Sequence, residues 1–473
     1  MRRTKIICTL GPATESAEVI RKMIEAGTNI FRLNMSHAPH EWARQIVPRI
    51  RAVADELNQI IGILMDTQGP AIRTGDLSTK LNLKPGDILE FTVRGERSEE
   101  HFSVDVNYDG LINDISVGDT VLVDNGVIRL RVLEKANNKI RCEVLTEGTL
   151  GSRRHINLPG VRVSLPPLTE KDIRDVELGA ELGVDFVALS FCREPDDVDV
   201  LRKTLRENGS RARIIAKLED QLAIRNVRGI IEKADAIMIA RGDLGIECPM
   251  EELPIIQRRI VKQCLKLGKP VIVATHMLES MITNPIPTRA EVTDVANAVF
   301  EQADAVMLSG ETTVGKYPVE CVKALDRIAQ RIERSGGAGF ANDAILEDDR
   351  QKTIRSAVVL ANNLPDSKVI VFTRRGYMAD CASNLRPPHA TIYAFAPTIE
   401  VCRQLALNWG TTPILLRFDP NPNQTIVDAE KALLARGCVK TGDRLVIVSD
   451  LLAGESRFAS IQLRVIEDKS SAN

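Results

Sequence analysis

The run IIAKLED, Ile214 to Asp220, begins as a buried β-strand and then sets Lys217 and Glu219 two residues apart among apolar neighbours. In an extended chain such residues share a face, so a cation and an anion project together from a layer where unpaired charge is costly. Polar residues follow other apolar, β-branched runs in the same way. Arg32, Asn34 and Ser36 share a face, Asp66-Thr67 follow IIGILM, Ser190-Phe191 follow VDFVAL, Asp243 follows IMIARG, Thr275-His276 follow VIVA, and Ser309-Gly310-Glu311 follow DAVML. Glu219 and Asp243 are hard oxygen donors of the kind that hold Mg²⁺ while leaving positions for water and substrate. With Lys217 one side chain deeper, the set suits negative charge that grows on a phosphate or an enolate, which means phosphoryl transfer or enolate chemistry. Taken singly, a polar residue after a strand is more often a helix cap or a solvated turn, and Asp220 and His276 stay open to that plainer reading.

Chemistry of this kind needs strands that end at one place. Eight apolar runs, KIICTL, NIFRLNM, IIGILMD, VDFVALSF, ARIIAKLE, ADAIMIA, KPVIVAT and DAVMLS, alternate with helical patterns. Repeated βα units pair in parallel, and this number of them predicts a closed (βα)8 TIM barrel with its chemistry at the carboxyl ends of the strands. Thr288 with Glu291 reads as a capping box and Gly183 as a helix C-terminus. The rhythm breaks over 70–165, where short alternating segments and the turn signals KPGD and VGD predict an inserted β-barrel lid domain. Pro70 and Pro166-Pro167 stiffen its two connections. After the Gly-rich SGGAG a new alternation, VIVFT, ATIYAFA, TPILL and RLVIVSD, predicts a C-terminal α/β domain. The expected division is 1–69 with 166–338 for the barrel, 70–165 for the lid and 339–473 for a regulatory domain.

Composition narrows the function classes. A chain of 473 residues that is 44% hydrophobic has material for several cores. Its formal net charge of -2, with both signs interspersed, gives no basic stripe for nucleic acid and no polybasic membrane segment. The nine cysteines form no CxxC pair and read as reduced core thiols. The first apolar run is too short for a secretory signal and no stretch reaches membrane-spanning length, so a cytoplasmic protein is expected.

The ordered blocks TKIICTLGPAT, FRLNMSH, LMDTQGPAIRTG, VLVDNG, NLPG, LTEKD, IIAKLED, IMIARGDLGIE, VIVATHMLESMITNPIPTRAEVTDVANAV and VMLSGETTVGKYPVE resemble those of the pyruvate kinase family. The resemblance covers barrel and insert densely and the last domain loosely. It implies phosphoryl transfer from phosphoenolpyruvate to ADP, giving pyruvate and ATP, with Mg²⁺ or Mn²⁺ on Glu219 and Asp243 and Lys217 facing the phosphoryl group. Arg32 and the segment Ala240, Arg241, Gly242, Asp243 with Thr275 would bind substrate. Arg73, Arg154, Asn34, His37 and Pro12 would serve the nucleotide, and Asn34, Ser36, Asp66 and Thr67 would hold K⁺. Thr275 or Ser309 would relay a proton to the enolate through water. The family also implies a homotetramer and a phosphorylated effector in the last domain. Another Mg²⁺-dependent enolate enzyme, of phosphoenolpyruvate mutase or aldolase type, and a non-catalytic metabolite sensor are the alternatives. Against them stand the NLPG and SGET blocks, the large insert, and an intact Lys217, Glu219 and Asp243.

Several positions depart from the family pattern. Gln68 stands for its lysine, Ala71 for a glutamate linked to K⁺ use, Ala38 for a glycine, His276 for a glutamine, and Arg154-His155 for Lys-Gly. In the last domain the turn Thr373-Arg374-Arg375-Gly376 is poor in hydroxyls, and the stretch LLAGESRFAS, expected as a late effector loop, lacks the family's hydroxyl-rich run. Two arginines at a strand-to-helix turn predict a monophosphorylated effector at Thr373, Arg374, Arg375 and Gly376 in place of a sugar bisphosphate. A solvated basic turn is the plainer alternative.

Overall fold

The computed structural model describes residues 2–453 and 456–467. Eight parallel strands close into a barrel, each paired with the next in sequence and the first with the last. In order they are Lys5–Thr9, Ile30–Asn34, Gly62–Asp66, Phe186–Leu189, Arg213–Leu218, Ala236–Ala240, Val271–Ala274 and Ala305–Leu308. Every expected apolar run is a barrel strand, because burial on both faces selects continuous rather than alternating hydrophobicity. The connecting helices begin where local chemistry satisfies their first amides. Thr169 caps Glu170–Leu182 with Asp172 returning the bond, Gly183 closes that helix at φ 61, and Thr288 pairs with Glu291 before Arg289–Phe300.

Between the third and fourth barrel strands the chain forms a six-stranded, mostly antiparallel sheet and a two-stranded sheet. Ile128–Ala136 begins with strict alternation of buried and exposed residues, the mark of a sheet with one wet face. Leu89, Phe91, Val123, Leu130 and Ile140 build a core separate from that of the barrel. Gly86 and Gly118, in the KPGD and VGD turns, take φ of 92 and 93, where a side chain would be strained.

The C-terminal sheet runs Thr411–Leu415, Thr391–Ala396, Ser367–Phe372, Arg444–Ala453, with Ser456–Val465 antiparallel at its edge. The last strand corrects the expectation of a late loop in LLAGESRFAS. The stretch forms the turn-proximal arms of a β-hairpin, with Gly454 and Glu455 outside the described residues. Alternation through SIQLRV favours a strand. This domain is locked under the barrel floor, where Ala406 and Leu407 join the cluster of Ile7, Ile30, Leu64 and Phe186 inside the barrel.

Candidate active site

The strand ends bring the expected polar residues to one mouth. Lys217 Nζ lies 3.1 Å from Asp66 Oδ1 and 3.0 Å from Glu219 Oε1, and it donates to Ser190 Oγ at 2.8 Å. Arg32 Nε donates to Asp66 Oδ2 at 2.7 Å, and its Nη1 to Thr9 Oγ1 at 3.0 Å. Glu219 stands one residue past its strand, with Oε2 accepting from the Phe191 amide at 2.7 Å. Asp243 is in the first turn of the helix Arg241–Glu247 rather than on the sixth strand.

The electrostatics are uneven. Burial works against the Lys217 ammonium, yet Asp66 and Glu219 outweigh it and hold its pKa above the ordinary lysine range. Burial likewise opposes ionisation of Asp66, but Lys217 and Arg32 bring its pKa below the usual carboxylate value. Glu219 goes the other way. Desolvation pushes it up to about 7 against the pull of Lys217, and Asp243 adds repulsion. Two cations thus face three carboxylates, and Glu219 with Asp243 is the under-compensated pair. That donor set fits a divalent cation. Among the described residues no three His, Cys, Asp or Glu side chains gather as a ready-made metal cluster, and an ion held by these two carboxylates alone would draw its other ligands from substrate and water.

Other expected residues are held by backbone devices. Thr275 and His276 have φ of 75 and 56, costly for non-glycine residues. The Arg241 guanidinium, turned away from the mouth, secures this turn by donating to Thr275 O at 2.6 Å and pairing with Asp294 at 2.7 Å. A Cβ on Gly242 would come within 3.2 Å of the Thr275 methyl, so a small residue lets the two strand ends approach. Ser309 N donates to Glu311 at 2.7 Å, and the same carboxylate accepts from Leu278 N at 3.0 Å, tying the seventh and eighth strand ends together. His276 is exposed, and Asp220 accepts from Ala223 N at 2.7 Å as the cap of Gln221–Arg225.

The candidate K⁺ residues have unequal freedom. Asp66 is enclosed by Arg32, Lys217 and the Ser190 hydroxyl, and the Thr67 hydroxyl donates to Ala188 O at 3.0 Å. Asn34 and Ser36 are half-buried beside them. Pro12 and His37 are exposed in loops after the first two strands, and Arg73 and Arg154 are exposed on the insert, Arg154 being 3.3 Å from Asp124. A cleft of about 1240 Å³ runs between insert residues around Asn125 and Arg129 and the helix that carries Asp243. In the last domain, Thr373 Oγ1 accepts from Gly376 N at 2.9 Å and the Arg374 guanidinium lies 5.5 Å from the Phe418 ring centre. Both line a cavity of about 590 Å³ that Arg375 and Arg350 also border.

Sequence reasoning assigned no part to Ser190, Glu311, Arg350 or the Arg241–Asp294 pair. Ser190 and Glu311 carried a signal, being polar residues at the ends of the fourth and eighth runs. His155 was noted as a departure, and it reaches within 4.0 Å of Asp243.

Comparison with known proteins agrees with this geometry. Residues 1–322 match the family model "Pyruvate kinase, barrel domain" and residues 351–462 match "Pyruvate kinase, alpha/beta domain". Pyruvate kinases of Staphylococcus aureus strains USA300 and NCTC 8325 are each 40% identical over 469 residues, covering 96% of this chain and 79% of theirs. A crystal structure of a pyruvate kinase from Cryptosporidium parvum superposes with a TM-score of 0.93 at 33% identity, covering 98% of this chain and 96% of that one. The chain belongs to the pyruvate kinase family.

Proposed function

We propose that the chain transfers the phosphoryl group of phosphoenolpyruvate to ADP, giving pyruvate and ATP. The observation that carries this reading is the buried ammonium of Lys217, shared among Asp66, Glu219 and Ser190 beside the under-compensated Glu219 and Asp243. Lys217 and Arg32 place fixed positive charge where phosphoryl oxygens pass and an enolate is left behind, and they need no reorganisation as that charge develops. Glu219 and Asp243 would hold Mg²⁺ or Mn²⁺, which when bound supplies further positive charge opposite those oxygens. The backbone at Ala240 to Gly242 and the Thr275 hydroxyl bind the substrate carboxylate. Thr275 or Ser309 passes a proton through water to the enolate carbon, completing the second half-reaction. Residues 70–165 act as a lid that excludes water from the transferring group and brings Arg73 and Arg154 to the nucleotide, which Pro12, Asn34 and His37 meet from the barrel side.

K⁺ is expected to activate through Asn34, Ser36, Asp66 and Thr67, because Ala71 supplies no substitute cationic charge. A coupled assay with phosphoenolpyruvate, ADP and Mg²⁺ tests both readings. Nucleotide-dependent pyruvate formation is the expected result, faster with K⁺ than with Na⁺ alone, and its absence favours a mutase, an aldolase or a sensor. A regulatory role for 339–473 rests on the cavity beside Arg374 and Arg375, which suits a sugar or nucleoside monophosphate. Its activation of the enzyme should disappear in Arg374→Ala and Arg375→Ala. A cytoplasmic homotetramer completes the reading. Met250, Ile255, Ile286 and Phe300 are exposed apolar residues on the barrel, as are Ile461, Leu463 and Val465 on the edge strand, and sedimentation would count the copies.

A further inference from the structure

The insert touches the mouth through one residue that the reaction scheme does not use. His155 pairs with Arg73 in an isolated antiparallel bridge, and its carbonyl accepts from Asp124 N at 3.1 Å, so its backbone belongs to the insert. Its side chain is 15% exposed, and its ring lies 5.8 Å from that of Phe191, the residue whose amide holds Glu219. Nδ1 stops 4.0 Å short of Asp243 Oδ1, beyond hydrogen-bond reach. A largely buried imidazole with a donor to place thus lies against the tilted Phe191 ring, between the insert's arginines, Arg73 and Arg154, and the barrel carboxylates Glu219 and Asp243. It also borders a small cavity of about 70 Å³ with Glu219 and Phe191. On the phosphotransferase reading the group crosses from substrate in the barrel to nucleotide under the insert, and His155 faces the barrel carboxylates from the insert side.

We propose that His155 is a further ligand-binding residue of the transfer site, its ring N–H donating to a phosphate oxygen of the bound nucleoside diphosphate. This rests on the phosphotransferase reading above. The enolate half-reaction is served by Lys217, Asp243 and Thr275, all on the barrel, so His155 should matter for the nucleotide and not for proton transfer at carbon. A residue that only packed the insert against the barrel would show no such division.

The test uses the full-length protein with His155→Phe, which keeps an aromatic ring on Phe191 but removes the donor, and His155→Gln, which restores an N–H. Two measurements are made besides turnover: calorimetric binding of Mg·ADP, and exchange of pyruvate methyl protons in deuterated buffer. A hydrogen bond to a charged oxygen implies about a ten- to hundredfold loss in His155→Phe, both in Mg·ADP affinity and in kcat/KM for ADP. His155→Gln should recover a substantial part, and proton exchange should stay within about twofold of wild type in both. The proposal is overturned if His155→Phe binds Mg·ADP as wild type does, if His155→Gln is no better than His155→Phe, or if exchange falls in step with transfer. Thermal unfolding identifies a variant that fails to fold, and if that is His155→Phe, His155→Leu takes its place as the folded variant without the donor, with the same expected and overturning outcomes. Absence of phosphotransfer in the wild-type protein would instead overturn the functional reading and this inference with it.

Discussion

The two ends of the barrel both bury charge, and they do so differently. At the floor the charges are matched: Arg386 pairs with Asp304 at 2.5 Å, both side chains 2% exposed, and Arg51 pairs with Asp185 at 2.7 Å. Arg386 also donates to Gln302 O, and Asp304 accepts from Trp409 N and Val271 N, so the pair welds the C-terminal domain to the barrel. At the mouth the account does not balance, since Arg32 and Lys217 face Asp66, Glu219 and Asp243. A matched and fully bonded pair has little left to offer a ligand. An unmatched set keeps charge to offer a ligand, in line with barrels whose strand carboxyl ends carry chemistry and whose amino ends carry stability.

The sharpest way to break this contrast is Lys217→Met, which removes the charge and keeps the stem. Turnover should fall by about a thousandfold or more while the denaturation midpoint changes little, because the ammonium stabilises developing charge instead of packing the core. Steady-state kinetics beside urea unfolding measures both. Retained turnover would remove the asymmetry between the ends. At the floor the outcome should invert. Arg386→Met leaves Asp304 buried without its cation and should cost about 3–5 kcal/mol of stability, and adding Asp304→Asn should return a large part of the loss. Phosphotransfer by the folded fraction of either variant should remain near normal.

The sequence shows more of the mouth than of the floor, for a physical reason. Lys217, Glu219, Asp243, Arg32 and Thr275 interrupt apolar runs at strand ends, and the barrel's regular geometry turns that local pattern into proximity. Floor partners such as Arg386 and Asp304 are separated by 82 residues and meet only because one domain docks beneath another, which no local period reports. The same limit hid Ser190 as a Lys217 partner and Arg241 as the brace of Thr275. Ser456–Val465 is a different case: the alternation of SIQLRV is a local strand signal, obscured by the comparison of the stretch with an effector loop. The approach of His155 to Asp243 depends on where the insert rests, again a long-range property.

A smaller effect sharpens the comparison through pH. Lys5, at the start of the first strand, is buried, and its Nζ donates to Thr411 O of the C-terminal domain at 2.7 Å. Burial, reinforced by Arg2 and only partly opposed by Glu333 and Asp304, lowers its pKa from 10.5 to about 7. Between those two values the unfolded chain holds a proton on Lys5 that the folded chain has largely released, so this residue makes stability rise with pH from about 7 toward 10.5 and fall as pH drops toward 7. The slope is bounded by about 1.4 kcal/mol per pH unit. Lys217 has the opposite sign: its folded pKa is raised, so its contribution is present below the ordinary lysine pKa and is lost only as pH climbs past the raised value. Unfolding free energies measured from pH 7 to 10 for wild type and Lys5→Met should therefore diverge at the low end of the range, with the variant relatively more stable there and the difference shrinking as pH rises. A pH-independent difference would mean that Lys5 stays charged in the fold, and that the floor, like the mouth, holds a lysine whose charge its surroundings sustain.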